Sequence, residues 1–252
     1  MLTLKAHGRS ELGLHREGNE DAALFSPTLC AVADGLGGHA AGEVASRFAI
    51  STLAELIKEK KLSSSRISKQ VREVDKGLAT LIEGEKQYGG MGTTLTAVFL
   101  TEQTLHVAHI GDSRAYLYRN GTLEQLTKDH TMIQEMIDRG ELTVAGAKSH
   151  PKRSLLTQAL MGQKKIQPDV ISIDIFEGDR LLICSDGLSN VVSLSSMASA
   201  LSQLSRESAV DTLIALTYAA DAPDNVTVLV ADVVSEKNVS HPIFLGSAVD
   251  LS

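Results

Sequence analysis

Apolar positions along this chain follow two rhythms. Short apolar runs bounded by Gly, Pro, Asn, Asp or Ser occupy residues 4–9, 22–25, 29–33, 93–100, 104–110, 114–118, 170–175, 180–184 and 226–233. Runs of this length and punctuation predict strands, and continuous ones such as Leu181-Leu182-Ile183-Cys184 predict strands buried on both faces. The second rhythm is helical. Val44, Phe48, Ala49, Leu53, Leu56 and Ile57 fall on one stripe of a helix over 43–60. Ile67, Val71, Val74, Leu78 and Leu81 mark a second helix that ends near Gly84, with Ser63-Ser64-Ser65 offering its N-cap. Shorter helices are expected over 129–139, 195–204 and 207–220. Asn120-Gly121 is a hairpin turn signal. Residues 140–150 are polar and without period and are expected to be mobile, with order resuming over 151–160. The tail 235–252 is expected to pack loosely.

Strands come in runs and helices in pairs. That is not the single-helix alternation of a parallel sheet. It predicts an α+β fold in which antiparallel sheets carry helix pairs on their outer faces.

Composition narrows the partners. The 252 residues suit one domain, drawn here over 4–234, able to bury roughly 70–75% of its unfolded surface. The net charge of −7 and the lack of a basic cluster argue against a nucleic-acid or anionic-membrane surface. No apolar run is long enough to span a bilayer, and Met1-Leu2-Thr3-Leu4-Lys5 lacks the apolar core of a signal peptide. Both cysteines, Cys30 and Cys184, lie inside apolar runs, which predicts buried reduced thiols and a cytoplasmic home.

The candidate chemistry lies where strands end. Leu29-Cys30-Ala31-Val32-Ala33 runs into Asp34-Gly35-Leu36-Gly37-Gly38, and Leu181-Leu182-Ile183-Cys184 runs into Ser185-Asp186-Gly187-Leu188. Asp112 follows a third apolar run, Asp224 precedes a fourth, and Glu20-Asp21 precedes a fifth. Carboxylates aimed at one point by rigid strands need cations to tolerate one another. Glu20, Asp21, Asp34, Asp112, Asp186, Asp224 and the Gly35 carbonyl are all oxygen donors, the set that suits Mg²⁺ or Mn²⁺. Two such ions can activate a water and clamp a phosphoryl group. Arg16, four residues before Glu20, could hold phosphate in its fork.

Other phosphate chemistries fail on spacing. A cysteine nucleophile needs an arginine six residues on, and those positions hold Leu36 and Asn190. Gly18-Asn19-Glu20-Asp21 lacks the histidine of a calcineurin-type metallophosphoesterase. No glycine-rich stretch supplies the Gly-Lys-Ser/Thr of a Walker loop, and no His-Glu-x-x-His is present for zinc.

Six motifs occur in order: Arg16-x-x-Asn19-Glu20-Asp21, Val32-Ala33-Asp34-Gly35-Leu36-Gly37-Gly38-His39, Gly92-Thr93-Thr94, Gly111-Asp112-Ser113-Arg114, Ser185-Asp186-Gly187-Leu188 and Asp224-Asn225-Val226-Thr227. Together they resemble the bacterial metal-dependent protein serine/threonine phosphatases of the PPM, or protein phosphatase 2C, type. The resemblance implies a four-layer α-β-β-α sandwich with two Mn²⁺ or Mg²⁺ ions at one end and a third beside them. By matched position, Asp34 would bridge the first two ions. Asp186 and Asp224 would hold one, and Glu20 and the Gly35 carbonyl the other. Asp112 would hold the third with Asp186 shared. Asp21 would orient water on the ions, Arg16 would grip the substrate phosphate, and residues 131–150 would form a flap beside the cleft. The implied substrates are phosphoserine and phosphothreonine proteins, handled by a monomeric enzyme opposing Ser/Thr kinase signalling. The tail Pro242-Ile243-Phe244-Leu245-Gly246 is similar to that of actinobacterial members that partner Hanks-type kinases. Two positions depart from the wider pattern. Leu36 stands where eukaryotic relatives carry a histidine proposed as general acid, which leaves water on the ions or His39 as the proton donor. Asn190 stands where many relatives have an aspartate. A non-catalytic member that only binds a kinase or phosphoprotein is the alternative reading, as is activity on small phosphorylated molecules.

Overall fold

The computed structural model describes residues 1–37, 41–59, 61–147, 150–152, 154–162, 165–203, 205–236 and 240–251. In chain order the elements are β1 (Thr3–Glu11), β2 (Ala22–Phe25), β3 (Leu29–Ala33), β4 (Gly35–Leu36), α1 (Gly42–Ala54), α2 (Ser64–Gly84), β5 (Gly92–Thr93), β6 (Leu95–Thr101), β7 (Thr104–Ile110), β8 (Arg114–Arg119) and β9 (Thr122–Gln125). Then follow α3 (Met132–Asp138), α4 (Val144–Ala147), β10 (Asp169–Asp174), β11 (Arg180–Cys184), α5 (Asp186–Ser189), α6 (Leu194–Leu201), α7 (Arg206–Ala219), β12 (Val226–Val234) and β13 (Ile243–Gly246).

Two sheets stack face to face. One has the order β1-β12-β11-β8-β9, the other β10-β7-β6-β3-β2-β13, and every named strand pair is antiparallel. Helices α1 and α2 cover the outer face of the second sheet, and α6 and α7 cover the first. Three apolar layers result, and they explain the continuous strand runs. Side chains alternate along a strand. In β11, Leu181 and Ile183 point between the sheets, while Leu182 and Cys184 point at the helices. In β3, Cys30 and Val32 point between the sheets, and Leu29, Ala31 and Ala33 point at α1 and α2. Both cysteines are free and fully buried, and burial pushes each thiol up to about 12. Among the described residues, no helix is long and apolar enough to cross a membrane.

Local signals in the sequence explain several boundaries. The Ser63 side chain accepts from the Arg66 amide at 3.3 Å and starts α2, whose Ile67, Val71, Val74 and Leu78 are buried. Asn120 (φ 52°) and Gly121 (φ 79°) are both left-handed, as a two-residue hairpin requires. The helix expected over 129–139 starts later, because Thr131 caps it through the Gln134 amide at 3.1 Å. The helix expected over 43–60 ends as α1 at Ala54, continues as a 3₁₀ turn over Glu55–Lys58, and Lys60 lies outside the described residues. Residues 140–150, where the sequence shows no period, contain the single turn of α4, and residues 148–149 lie outside the described residues.

One expectation is overturned. The tail does not pack loosely: Ile243–Gly246 pairs with β2 as an edge strand, and Ala248 is fully buried in the α1–α2 layer. Four residues that follow a proline and end on a left-handed glycine (φ 63°) carry too short a pattern to announce a strand.

Candidate metal centre

The ends of β3 and β11 and the starts of β2, β8 and β12 meet at one end of the sandwich. Each delivers an acid there. Asp34 leaves β3 with its backbone held on both sides. Its N–H donates to the Thr94 hydroxyl at 3.0 Å, and its carbonyl accepts from the Thr94 N–H at 2.9 Å and the Thr93 hydroxyl at 3.0 Å. The Thr94 hydroxyl also meets that of Ser113, next to Asp112, at 2.5 Å. The threonines of Gly92-Thr93-Thr94 thus fix two acid-bearing segments at once. Gly35 follows because nothing larger fits: a Cβ would stand 2.5 Å from the backbone oxygens of both Glu20 and Gly42. Those atoms belong to a loop and a helix that cannot swing away. Gly35→Ala is therefore expected to lower stability by about 3 kcal/mol, read as a reduced urea midpoint with unchanged slope.

Glu20 lies against the N-terminus of α1. The Gly42 amide hydrogen-bonds its carboxylate, and a Cβ on Gly42 would come within 2.9–3.0 Å of that group. Burial raises the Glu20 pKa, helped by Asp224 and Glu43, against the lowering effect of Arg16 and the Gly42 amide. The negative charge at a helix N-terminus is favourable.

Asp21 sits beneath this surface, almost fully buried. Its Oδ2 accepts from the hydroxyls of Ser185 (2.8 Å) and Thr227 (2.7 Å). The Ser185 oxygen in turn accepts from the Thr227 amide at 2.9 Å, and Ser10 and Asn19 extend the network. Burial pushes Asp21 up to about 7; the two hydroxyls pull it down, and Asp186 and Asp224 push it up.

Asp186 opens α5 and receives the Asn190 side-chain amide at 2.9 Å. An aspartate at 190 would set a second negative charge there; the asparagine donates instead. Asp224 accepts from the Asn225 amide at 2.8 Å and pairs with Arg16 Nη2 at 2.5 Å. Asn225 holds the Arg16 loop in place, accepting from the Gly13 amide at 3.2 Å and donating to the Gly18 carbonyl at 3.0 Å. Burial, then Asp186 and Asp129, push Asp112 up to about 8. Asp34 is raised well above the usual carboxylate range, by burial first and then by Asp21, Asp186, Asp112 and Asp224. Burial alone would lower Arg16, but Asp224, Asp34 and Glu20 outweigh it and raise it.

Arg16, Glu20, Asp34, Gly35, Asp112, Asp186 and Asp224 all line one open cleft of about 850 Å³. Asp21 lies behind it. Leu36, Glu43, Ser154 and Leu156 are among the other residues that line it. His39 and Gly38 lie outside the described residues. Among the described residues, no three carboxylates, imidazoles or thiolates stand close enough together to hold an ion as they are placed; the acids rim the cleft instead. The donor set fits hard divalent cations. It is all oxygen, and the burial and, after it, the mutual repulsion that raise Asp34, Asp112 and Asp186 are what a bound cation would offset. Sequence reasoning alone gave no role to Ser185, Thr227, Thr94, Asn225 or Gly42. The first four lie inside the quoted motifs, but only the fold shows that they hold the acid-bearing segments.

The sequence model of the protein phosphatase 2C family matches residues 19–219. The chain belongs to the protein phosphatase 2C family. It is 42% identical over 249 residues to the serine/threonine protein phosphatase PstP of Mycobacterium tuberculosis, a match covering 98% of this chain and 48% of that protein. The chain thus spans about half the length of that relative. It is 36% identical over 241 residues to the serine/threonine phosphatase stp of Listeria welshimeri, covering 91% of this chain and 96% of that one. Among solved structures, the catalytic domain of PstP in complex with two manganese ions superposes with a TM-score of 0.87 at 41% identity, covering 93% of this chain and all of that one. The α-β-β-α sandwich is therefore that of the protein phosphatase 2C family, and the acid-lined cleft occupies the end where the described parts of the six motifs converge.

Proposed function

We propose that this protein is a Mn²⁺- or Mg²⁺-dependent protein serine/threonine phosphatase that opposes kinase signalling. The observation that carries the reading is the convergence of Arg16 and six oxygen ligands on one cleft, in a chain 41% identical to a phosphatase domain solved with two manganese ions. Asp34 would bridge the two ions, with Asp186 and Asp224 on one and Glu20 and the Gly35 carbonyl on the other. Asp112 and Asp186 would hold a third. Divalent ions bound there would lower the pKa of a water and polarise the phosphoryl oxygens.

The chain's own residues do the rest. Arg16 offers a phosphate its guanidinium fork at the cleft mouth and would exchange Asp224 for substrate. Asp21, held by Ser185 and Thr227, keeps a fixed acceptor behind the ligands. Leu36 lines the cleft and carries no proton to give. Phosphoproteins are the substrates, a reading supported by the named activities of the relatives, and a Ser/Thr kinase of the Hanks type is the functional counterpart. The buried reduced thiols support a cytoplasmic setting.

The test is phosphate release from a phosphothreonine peptide and from a sugar phosphate, with and without Mn²⁺. Manganese-dependent release from the peptide is expected; release from the sugar phosphate alone would move the substrate class to small molecules, and no release by a metal-binding protein would favour a scaffold. In the same assay Arg16→Ala is expected to raise KM for the peptide about tenfold, the loss of one charge-assisted phosphate contact, with a smaller change in kcat.

A further inference from the structure

The C-terminal segment touches the metal-ligand region from behind. Gly246 closes β13 with φ 63°, a left-handed conformation, and a Cβ there would collide with the Asp21 carbonyl and come within 2.8 Å of the Ser10 hydroxyl. The Ser247 amide donates to the Asp21 carbonyl at 2.8 Å. The Ser247 hydroxyl meets that of Ser46 at 3.0 Å, and Ser46 donates its single proton to the Glu20 carbonyl at 2.6 Å. Ser46 lies in α1, the helix whose Gly42 amide holds the Glu20 carboxylate. Asp250 reaches Arg47 on that same helix at 3.4 Å, and the buried Ala248 anchors the turn. The two backbone carbonyls in front of β2 are thus both engaged: Glu20 by α1, Asp21 by the C-terminal turn, with Ser46–Ser247 joining the two.

We propose that Gly246-Ser247, with Ser46, positions the Glu20–Asp21 segment for metal binding, so that the C-terminal strand contributes to ion affinity and not only to the stability of the sheet. The inference rests on the metal-dependent reading above. It assigns positioning, since neither Gly246 nor Ser247 lines the cleft. Glu20 has no strand of its own. Its carboxylate aim is set by the two carbonyl contacts and the Gly42 amide, so loosening one contact lets the ligand wander. Outer contacts of this kind typically govern metal affinity by 10–100-fold.

The experiment is isothermal titration of chelator-stripped protein with Mn²⁺, alongside thermal unfolding in chelator, for the wild type, Gly246→Ala and Ser46→Ala. Gly246→Ala strains the turn and pushes on Asp21. Ser46→Ala removes the bridging hydroxyl from a helix interior where alanine is well tolerated, so it serves if the first variant does not fold. Weakening of Mn²⁺ binding by about tenfold is expected in each folded variant. Affinities within twofold of wild type, with only the unfolding temperature lowered, would overturn the proposal and leave the tail a structural strand. A wild type that binds Mn²⁺ but releases no phosphate would count against the hydrolase reading alone, because the affinity comparison needs no turnover.

Discussion

Phosphate release from a phosphothreonine peptide is expected to fall about 100-fold or more when Asp34 is replaced by asparagine, measured at saturating Mn²⁺. Asp34 stands half-buried at the cleft floor among four other aspartates, and its backbone is locked by Thr93 and Thr94, so the variant keeps its geometry and loses only charge. That charge is what would draw two cations to one point. The same substitution should raise the thermal stability of the metal-free protein. Asp34→Asn removes a desolvated carboxyl group that Asp21, Asp186, Asp112 and Asp224 all oppose. A more stable but inactive variant is the outcome for a residue kept at a cost to the fold. A variant that is both active and less stable would show that Asp34 is an ordinary structural turn residue.

The second large effect is a dependence of metal-free stability on pH. Asp21, near 7, and Asp112, near 8, hold protons in the folded protein that they would release close to 3.8 when unfolded. The folded state then binds more protons than the unfolded state, so stability falls as pH rises through this interval. His109 acts in the opposite sense. Burial first, then His130, pushes it down to about 3, so its contribution grows as pH rises towards 6.5 and is complete above it. The window from about 6.5 to 8 therefore reports the acid cluster. The expected slope is about 1.4 kcal/mol per pH unit for each extra proton, a loss of about 2–3 kcal/mol across the window. Urea unfolding in chelator at the two ends measures it. Saturating Mn²⁺ should abolish the decline, because a bound cation replaces the protons. Stability that stays level or rises without metal would contradict the buried-acid account.

How far the sequence could be read follows from what each feature needs. Strands 22–25, 29–33 and 180–184 were legible to the residue, because strands covered on both faces are apolar almost throughout and stop abruptly at a serine or an acid. The antiparallel sheets and paired helices followed from the rhythm of the elements. The acids at the cleft were legible because each follows or precedes such a run. The supports were not. Thr94, Ser185 and Thr227 are small hydroxyl residues whose meaning lies in a partner far away in the chain: Thr227 meets Asp21 across 206 positions. No local pattern announces such a pair. Strand β13 escaped for a related reason. Its four residues gain a partner only from β2, which no local signal near residue 243 identifies. The single turns α4 and α5 are too short to show a helical period.

The pairing of β1 with β12 has a consequence for how the protein is made. Glu11 lies opposite Val226, so the first strand waits for almost the last before it can enter its sheet. The acids divide in the same way, with Glu20 and Asp34 early and Asp186 and Asp224 late. During synthesis the early acids leave the ribosome long before the residues that complete their surroundings. Pairing across such separations is slow and follows local structure in time. No part-made chain can hold the whole set of cleft acids, so the cleft is completed in one step, after residue 224 has emerged and β12 has slotted between β1 and β11.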